Sequence, residues 1–123
     1  MDHRHLSRML ALGRVGLGIG LTVAPRRVGR AWVGGAADDR STTVLARALG
    51  VRDVALGAGV LTALDRGDAA VRDWVTAAAV ADAVDAVASA AALGALPRRR
   101  RWLVVGVATA SAVAGWVARD RMG

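Results

Sequence analysis

WVTAAAVADAVDAVASAAALGAL, residues 74–96, decides the fold. After its leading Trp74, the run is Ala, Val and Leu broken only by Thr76, Asp82, Asp85, Ser89 and Gly94. Its 23 residues suit a helix crossing the ~30 Å hydrocarbon layer, since about 20 residues do so at about 1.5 Å each. A helix on the surface of a soluble protein carries a broad polar face, and this one lacks it. No alternation of apolar and polar residues persists along the chain, so strands are not expected.

Three more runs of similar length lie on either side. Residues 6–24 contain Arg8 and Arg14, residues 43–64 contain Arg47, Arg52 and Asp53, and residues 102–118 contain no charge. Pro25 and the run Arg26-Arg27-Val28-Gly29-Arg30 close the first, Gly34-Gly35 and Asp38-Asp39 follow, and Ser41 or Thr42 offers an N-cap for the second helix. Asp65-Arg66-Gly67-Asp68 reads as a tight turn. Pro97 with Arg98, Arg99, Arg100 and Arg101 separates the third helix from the fourth. The expected architecture is all-α: one domain, residues 1–123, built as a four-helix transmembrane bundle with helices at about 6–24, 43–64, 74–96 and 102–118.

The alternative is a soluble basic four-helix bundle whose internal Asp and Arg mark solvated faces. Tryptophan placement argues against it. Trp74 opens the third segment, Trp102 opens the fourth, Trp116 nearly closes it, and Trp32 sits in the first loop. A bilayer draws these rings to the headgroup level. Trp102 and Trp116 are 14 residues apart, which is about 21 Å of helix, matching two rims of one membrane. The first segment has a basic start like a signal peptide, but Arg14 interrupts its apolar region and Pro25 follows it, so it reads as a retained helix.

Composition removes other classes. The chain is 54% hydrophobic, too apolar for disorder. It has no Cys, hence no disulfide scaffold and no thiolate chemistry. His3 and His5 alone are too few for a zinc site and read as part of a mobile terminus. All 17 basic residues are Arg and all 10 acids are Asp. The Arg98–Arg101 run has no aromatic stacking platform beside it, so nucleic acid is disfavoured. A basic run next to an apolar helix holds anionic headgroups instead.

Charge also orients the bundle. The regions 26–40 and 97–101 together carry +6, while the opposite side carries +1. The excess of positive charge places the first and third loops in the cytoplasm and both termini outside. Those flanks account for the whole net charge of +7. Arg14, Arg47, Arg52, Asp53, Asp82 and Asp85 lie within the spans and cancel. Segment midpoints fall near Val15, at Asp53 and Val54, and at Asp85, so Arg14, Arg52, Asp53, Asp82 and Asp85 share one depth near the midplane. Each midplane charge costs about 2.5–3.5 kcal/mol on insertion scales, and such charges persist when they face the bundle interior and pair. Asp82 and Asp85 stand one turn apart on one face, so the arginines of the first two helices are expected to face them. Arg47, near its helix start, is expected to snorkel. Close helix packing is expected at Gly13, Gly16 and Gly20 on the first helix and at Gly50 and Gly57 on the second. The spacing Gly16-x-Gly18-x-Gly20 follows no strand and is not read as a phosphate loop.

The patterns Leu12-Gly13-Arg14 before Pro25, then Leu45-Ala46-Arg47-Ala48-Leu49-Gly50-Val51-Arg52-Asp53 with Gly57, then Ala81-Asp82-Ala83-Val84-Asp85, resemble a family of small four-helix integral membrane proteins of high-GC bacteria, distantly DoxX-like. The resemblance implies a membrane bundle, and DoxX-like relatives act as membrane partners of redox proteins. It supplies no reaction and no catalytic residue. No nucleophile–base pair or metal set stands out, so no enzyme, cofactor or metal is expected. The expected role is an interaction or assembly subunit in the cell membrane. Its partners would be the lipid bilayer and either a second copy or another membrane protein. The alternative is a proton- or ion-pathway component using Asp82 and Asp85.

Overall fold

Asp2 starts the first helix: its carboxylate accepts from the Arg4 backbone N–H, and α1 runs His3–Val23. The computed structural model describes residues 2–91, 106–107, 109–110, 113–117 and 119–120. After Ala24, Pro25 occupies the first position of α2, Pro25–Val33, where its missing N–H costs nothing. Gly34, at φ 66, ends α2, a left-handed position that favours glycine. A short 3-10 helix, Gly34–Asp38, leads to α3, Arg40–Ala63. Residues 64–66 form the turn to Gly67, whose φ of 110 lets the chain reverse into α4, Asp68–Ala91. The described residues from 106 to 120 are also helical. The protein is all-α, and no strand occurs among the described residues.

Three boundaries differ from the sequence expectation. The region 26–40 is not a loop but α2 and the 3-10 helix. Gly29 is buried against Ala37, and Arg30 holds Asp38 through Nη2 at 2.8 Å and Nε at 3.1 Å. The cap of α3 is Asp39, not Ser41 or Thr42; its carboxylate accepts from their backbone N–H groups at 2.9 and 3.3 Å. α4 begins at Asp68 rather than Trp74, because the stretch before Trp74 forms the first turns of the helix, with Asp68, Ala69 and Asp73 exposed and Val71 buried. Trp74 is therefore inside α4 and lies against Gly59 of α3. The expected end of that helix at 92–96, and Arg98, Arg99, Arg100, Arg101 and Trp102, lie outside the described residues.

α1 and α3 are antiparallel. Gly18 of α1 faces Gly50, and Ala11 and Val15 face Gly57. A Cβ on Gly50 would sit 2.6 Å from the Gly18 carbonyl oxygen, and one on Gly57 would sit 2.7 Å from that of Ala11, so the backbones touch. On α1 the glycine at the contact is Gly18, not those expected. Nothing lies within 4 Å of a Cβ at Gly13 or Gly16, and Gly20 faces Val28 of α2. α4 folds back along α3 and presents Ala79 to Gly115. The core at the turn end is Ala11, Val60, Ala63, Leu64, Val71 and Val75. The same end is fastened by Arg4, which donates to Asp68 at 2.6 Å and to the Leu64 carbonyl. His3 approaches Asp68 at 3.6 Å, so this terminus is tied down rather than loose. The hydrogen bond from Arg4 holds the Asp68 carboxyl below its ordinary value, and His3 adds to the effect.

Large apolar side chains face outward on α1, α3 and α4. Val23 is 75% exposed, Leu45 69% and Val87 71%. The hydroxyls of Thr22, Thr62 and Thr76 donate back to the carbonyls of Gly18, Gly59 and Arg72 in their own helices. Among the described residues, α1 alone is long and apolar enough to cross a membrane, where the sequence reading expected four spans. α3 misses that measure with Arg47, Arg52 and Asp53 along it, and nearly half of the fourth run lies outside the described residues.

Candidate functional site

Five charged side chains meet between α1, α3 and α4. Arg14 projects from the face of α1 that also carries Ala11, Gly18 and Leu21, all buried. Because glycine at 18 and 50 brings α1 onto α3, the Arg14 guanidinium reaches Asp53, donating from Nη1 to Oδ1 at 3.0 Å. Its Nη2 donates to Asp82 of α4. Arg52, one residue before Asp53, turns the other way. It grips Asp85 with two bonds, Nη2 to Oδ2 at 2.6 Å and Nη1 to Oδ1 at 3.1 Å, a fork geometry that adds direction to charge. Arg52 Nη2 also touches Asp53 Oδ1 at 3.3 Å. Asp53 thus joins two arginines, and the chain of contacts runs Asp82, Arg14, Asp53, Arg52, Asp85.

Burial is graded along that chain. Asp53 is 5% and Asp82 6% exposed, the Arg14 side chain is 15% exposed, and the side chains of Arg52 and Asp85 are about one third exposed. Two guanidinium groups meet three carboxylates, so the ionised cluster carries one surplus negative charge. The carboxylates are separated by arginines rather than gathered around a common point, and no metal-holding group of acids and histidines occurs among the described residues.

Arg14, Asp53, Asp82 and Asp85 form one wall of a cavity of about 550 Å³ whose other walls are largely apolar, including Leu17, Leu21, Trp32, Leu45 and Leu49. Ser7, 1% exposed, also lines it, and its hydroxyl has no hydrogen-bond partner among the described residues. Sequence reasoning passed over Ser7, and it put Trp32 in a loop at the headgroup level, whereas Trp32 is in α2 and lines the cavity. Ser7 is two helical turns before Arg14, on the same face, which is the signal that could have found it.

The other residues singled out from the sequence lie elsewhere. Arg47 is exposed two turns into α3 and donates from Nε to the Thr22 carbonyl at 3.3 Å. Gly50 and Gly57 flank Asp53 on α3, whereas Gly13 and Gly16 are exposed on α1. Comparisons of the chain with protein-family models, curated proteins and solved structures return no match, so the reading of this site rests on its own geometry.

Proposed function

We propose that the protein is a small, non-catalytic, multi-pass membrane protein, a four-helix bundle that serves as an interaction or assembly subunit. One observation carries this reading: buried carboxylates coexist with large apolar side chains that face outward. Asp53 and Asp82 are buried while Val23, Val44, Leu45, Val84 and Val87 are exposed. In water that arrangement forfeits both ion hydration and apolar burial. In lipid both preferences reverse: apolar side chains meet acyl chains, and ionised groups face the interior and pair. The hydroxyls bonded to their own helices also suit a solvent that offers no hydrogen bonds. The ion network would fix the rotation of α1, α3 and α4 about their axes. The resemblance to DoxX-like membrane proteins is in line with this role.

The surplus carboxylate favours a second reading, a proton pathway through Asp82 and Asp85 along the cavity wall. A proton-flux assay in liposomes distinguishes the two. A subunit held by its ion network gives no flux above empty vesicles. Flux that vanishes in Asp85→Asn, with the fold intact, would establish the pathway. The membrane reading itself is tested by washing membranes with alkaline carbonate. The protein should stay in the pellet, and its release would return the chain to the soluble bundle.

A further inference from the structure

At the opposite end of the bundle from the Arg4–Asp68 tie, a second cleft of about 570 Å³ is lined by Val23, Ala24, Pro25, Arg26, Arg27, Thr43 and Arg47. We propose that it is a binding site for a phosphate group, either on a lipid headgroup or on a free anion. Three arginines line the cleft, and no carboxylate lines it among the described residues. The nearby acids are engaged elsewhere: Asp38 holds Arg30, and Asp39 caps α3. Arg26 and Arg27 are exposed and make no ion pair or side-chain hydrogen bond among the described residues. Arg47 spends only its Nε, on the Thr22 carbonyl. That bond fixes the guanidinium at the mouth of the cleft and leaves both Nη groups free to donate.

The backbone adds a second source of donors. α2 has no side-chain cap and no acid in its first turn. Pro25 has no N–H, the Val28 N–H bonds the Ala24 carbonyl, and the N–H groups of Arg26 and Arg27 between them have no acceptor among the described residues. These N–H groups sit at the positive end of the α2 dipole. Planar guanidinium groups and uncapped helix N–H groups together match the oxygens of a phosphate. A hydroxyl donor is not part of the site, because Thr43 Oγ1 donates to the Asp39 carbonyl at 3.1 Å. The cleft adjoins Val23, the exposed last residue of α1, where a headgroup would lie if α1 spans a membrane. The site does not depend on that reading, since a soluble protein with the same cleft would take a free anion.

Each arginine near an anionic surface is worth about fivefold in affinity. The full-length protein in neutral detergent is titrated calorimetrically with inorganic phosphate, with short-chain phosphatidylglycerol and with the matching diacylglycerol. Saturable binding is expected for a phosphate-bearing probe and not for the diacylglycerol. Binding of phosphatidylglycerol alone identifies a headgroup site, and binding of inorganic phosphate identifies a site for the free anion. Arg26→Gln with Arg27→Gln should weaken binding about 30-fold and Arg47→Gln about fivefold. Arg26→Lys with Arg27→Lys should retain most of it, because lysine still binds phosphate as a point charge. Arg8→Gln, an exposed arginine at the other end of α1, should change nothing. Failure of both phosphate-bearing probes to bind, or equal weakening by Arg8→Gln, would overturn the site.

Discussion

Replacing Arg14 by Met keeps a long side chain in place and removes the cation at the centre of the network. Arg14 is the partner of Asp82 among the described residues, and Asp53 would keep only the longer contact to Arg52 at 3.3 Å. Both carboxylates are buried, so the change strands charge where water does not reach. Breaking a buried pair in this way costs about 3–5 kcal/mol, a large part of an ordinary folding stability of about 5–15 kcal/mol. Arg52→Met strands Asp85, but that pair is about one third exposed and solvent relieves it, so the loss should be about 1 kcal/mol. Reversible unfolding in mixed micelles, followed by tryptophan fluorescence, measures both. Combining Arg14→Met with Asp82→Leu should recover part of the loss, with a coupling of about 0.5–3 kcal/mol. The reasoning fails if Arg14→Met stays within about 0.5 kcal/mol of wild type. It fails equally if Arg52→Met costs as much, or if the two changes in the cycle simply add.

Three further outcomes follow from the same geometry. Gly50→Ala drives a Cβ against the Gly18 carbonyl and should destabilise by about 1–3 kcal/mol, whereas Gly16→Ala meets open space and should gain up to about 1 kcal/mol of helix propensity; the same unfolding assay ranks them. The depressed Asp68 carboxyl contributes stability that is present above its unfolded value, about pH 4, and is lost as pH falls through the lower folded value. The acid limb of the stability curve should therefore flatten in Asp68→Asn, and a curve unchanged by that variant would show that the Arg4 tie does not hold the terminus. Cys introduced at Ala36, exposed on the 3-10 helix, should escape an impermeant thiol reagent in intact cells and react after permeabilisation. Labelling of intact cells would reverse the orientation.

The common depth of the five charges was legible because it needs only segment lengths and the uniform rise of a helix. Arg14, Arg52, Asp53, Asp82 and Asp85 are brought to one level. Which way each helix turns was harder to read. Glycine spacing alone pointed to Gly13, Gly16 and Gly20, but a buried charge fixes the inward face more firmly than a small residue does. Residues three, four and seven positions from Arg14 include Ala11, Gly18, Leu21 and Ser7, and all four are buried. Taking the face from Arg14 would have selected Gly18. α2 was hidden for another reason. Arg26, Arg27 and Arg30 outweigh the apolar residues of a segment too short to span a membrane. Its sequence signals are terminal ones, Pro25 at the first helical position and Gly34 at the end, and its packing sets Val28 against Gly20 and Gly29 against Ala37.

A hydropathy scan counts each residue as if its side chain stood alone, and on that count α3, with Arg47, Arg52 and Asp53 along it, falls short of a membrane span. For α3 such a scan charges Arg52 and Asp53 with about 2.5–3.5 kcal/mol each, as isolated midplane ions. In the folded chain neither is isolated. Asp53 receives Arg14 and Arg52, and Arg52 receives Asp85, so much of the penalty is offset by pairing once the helices are together. The residues that make α3 a poor span on its own are thus the ones that bind it to its neighbours. A bundle built this way would insert in order: α1, the apolar helix, enters with Arg14 unpaired, and α3 and α4 follow because Arg14 awaits their carboxylates. Arg14→Met should then lower the amount of protein integrated into membranes, and the loss of integrated protein should exceed that caused by Arg52→Met. Equal integration of both variants, measured by carbonate resistance during synthesis, would separate insertion from the ion network and leave the network a purely post-insertion role.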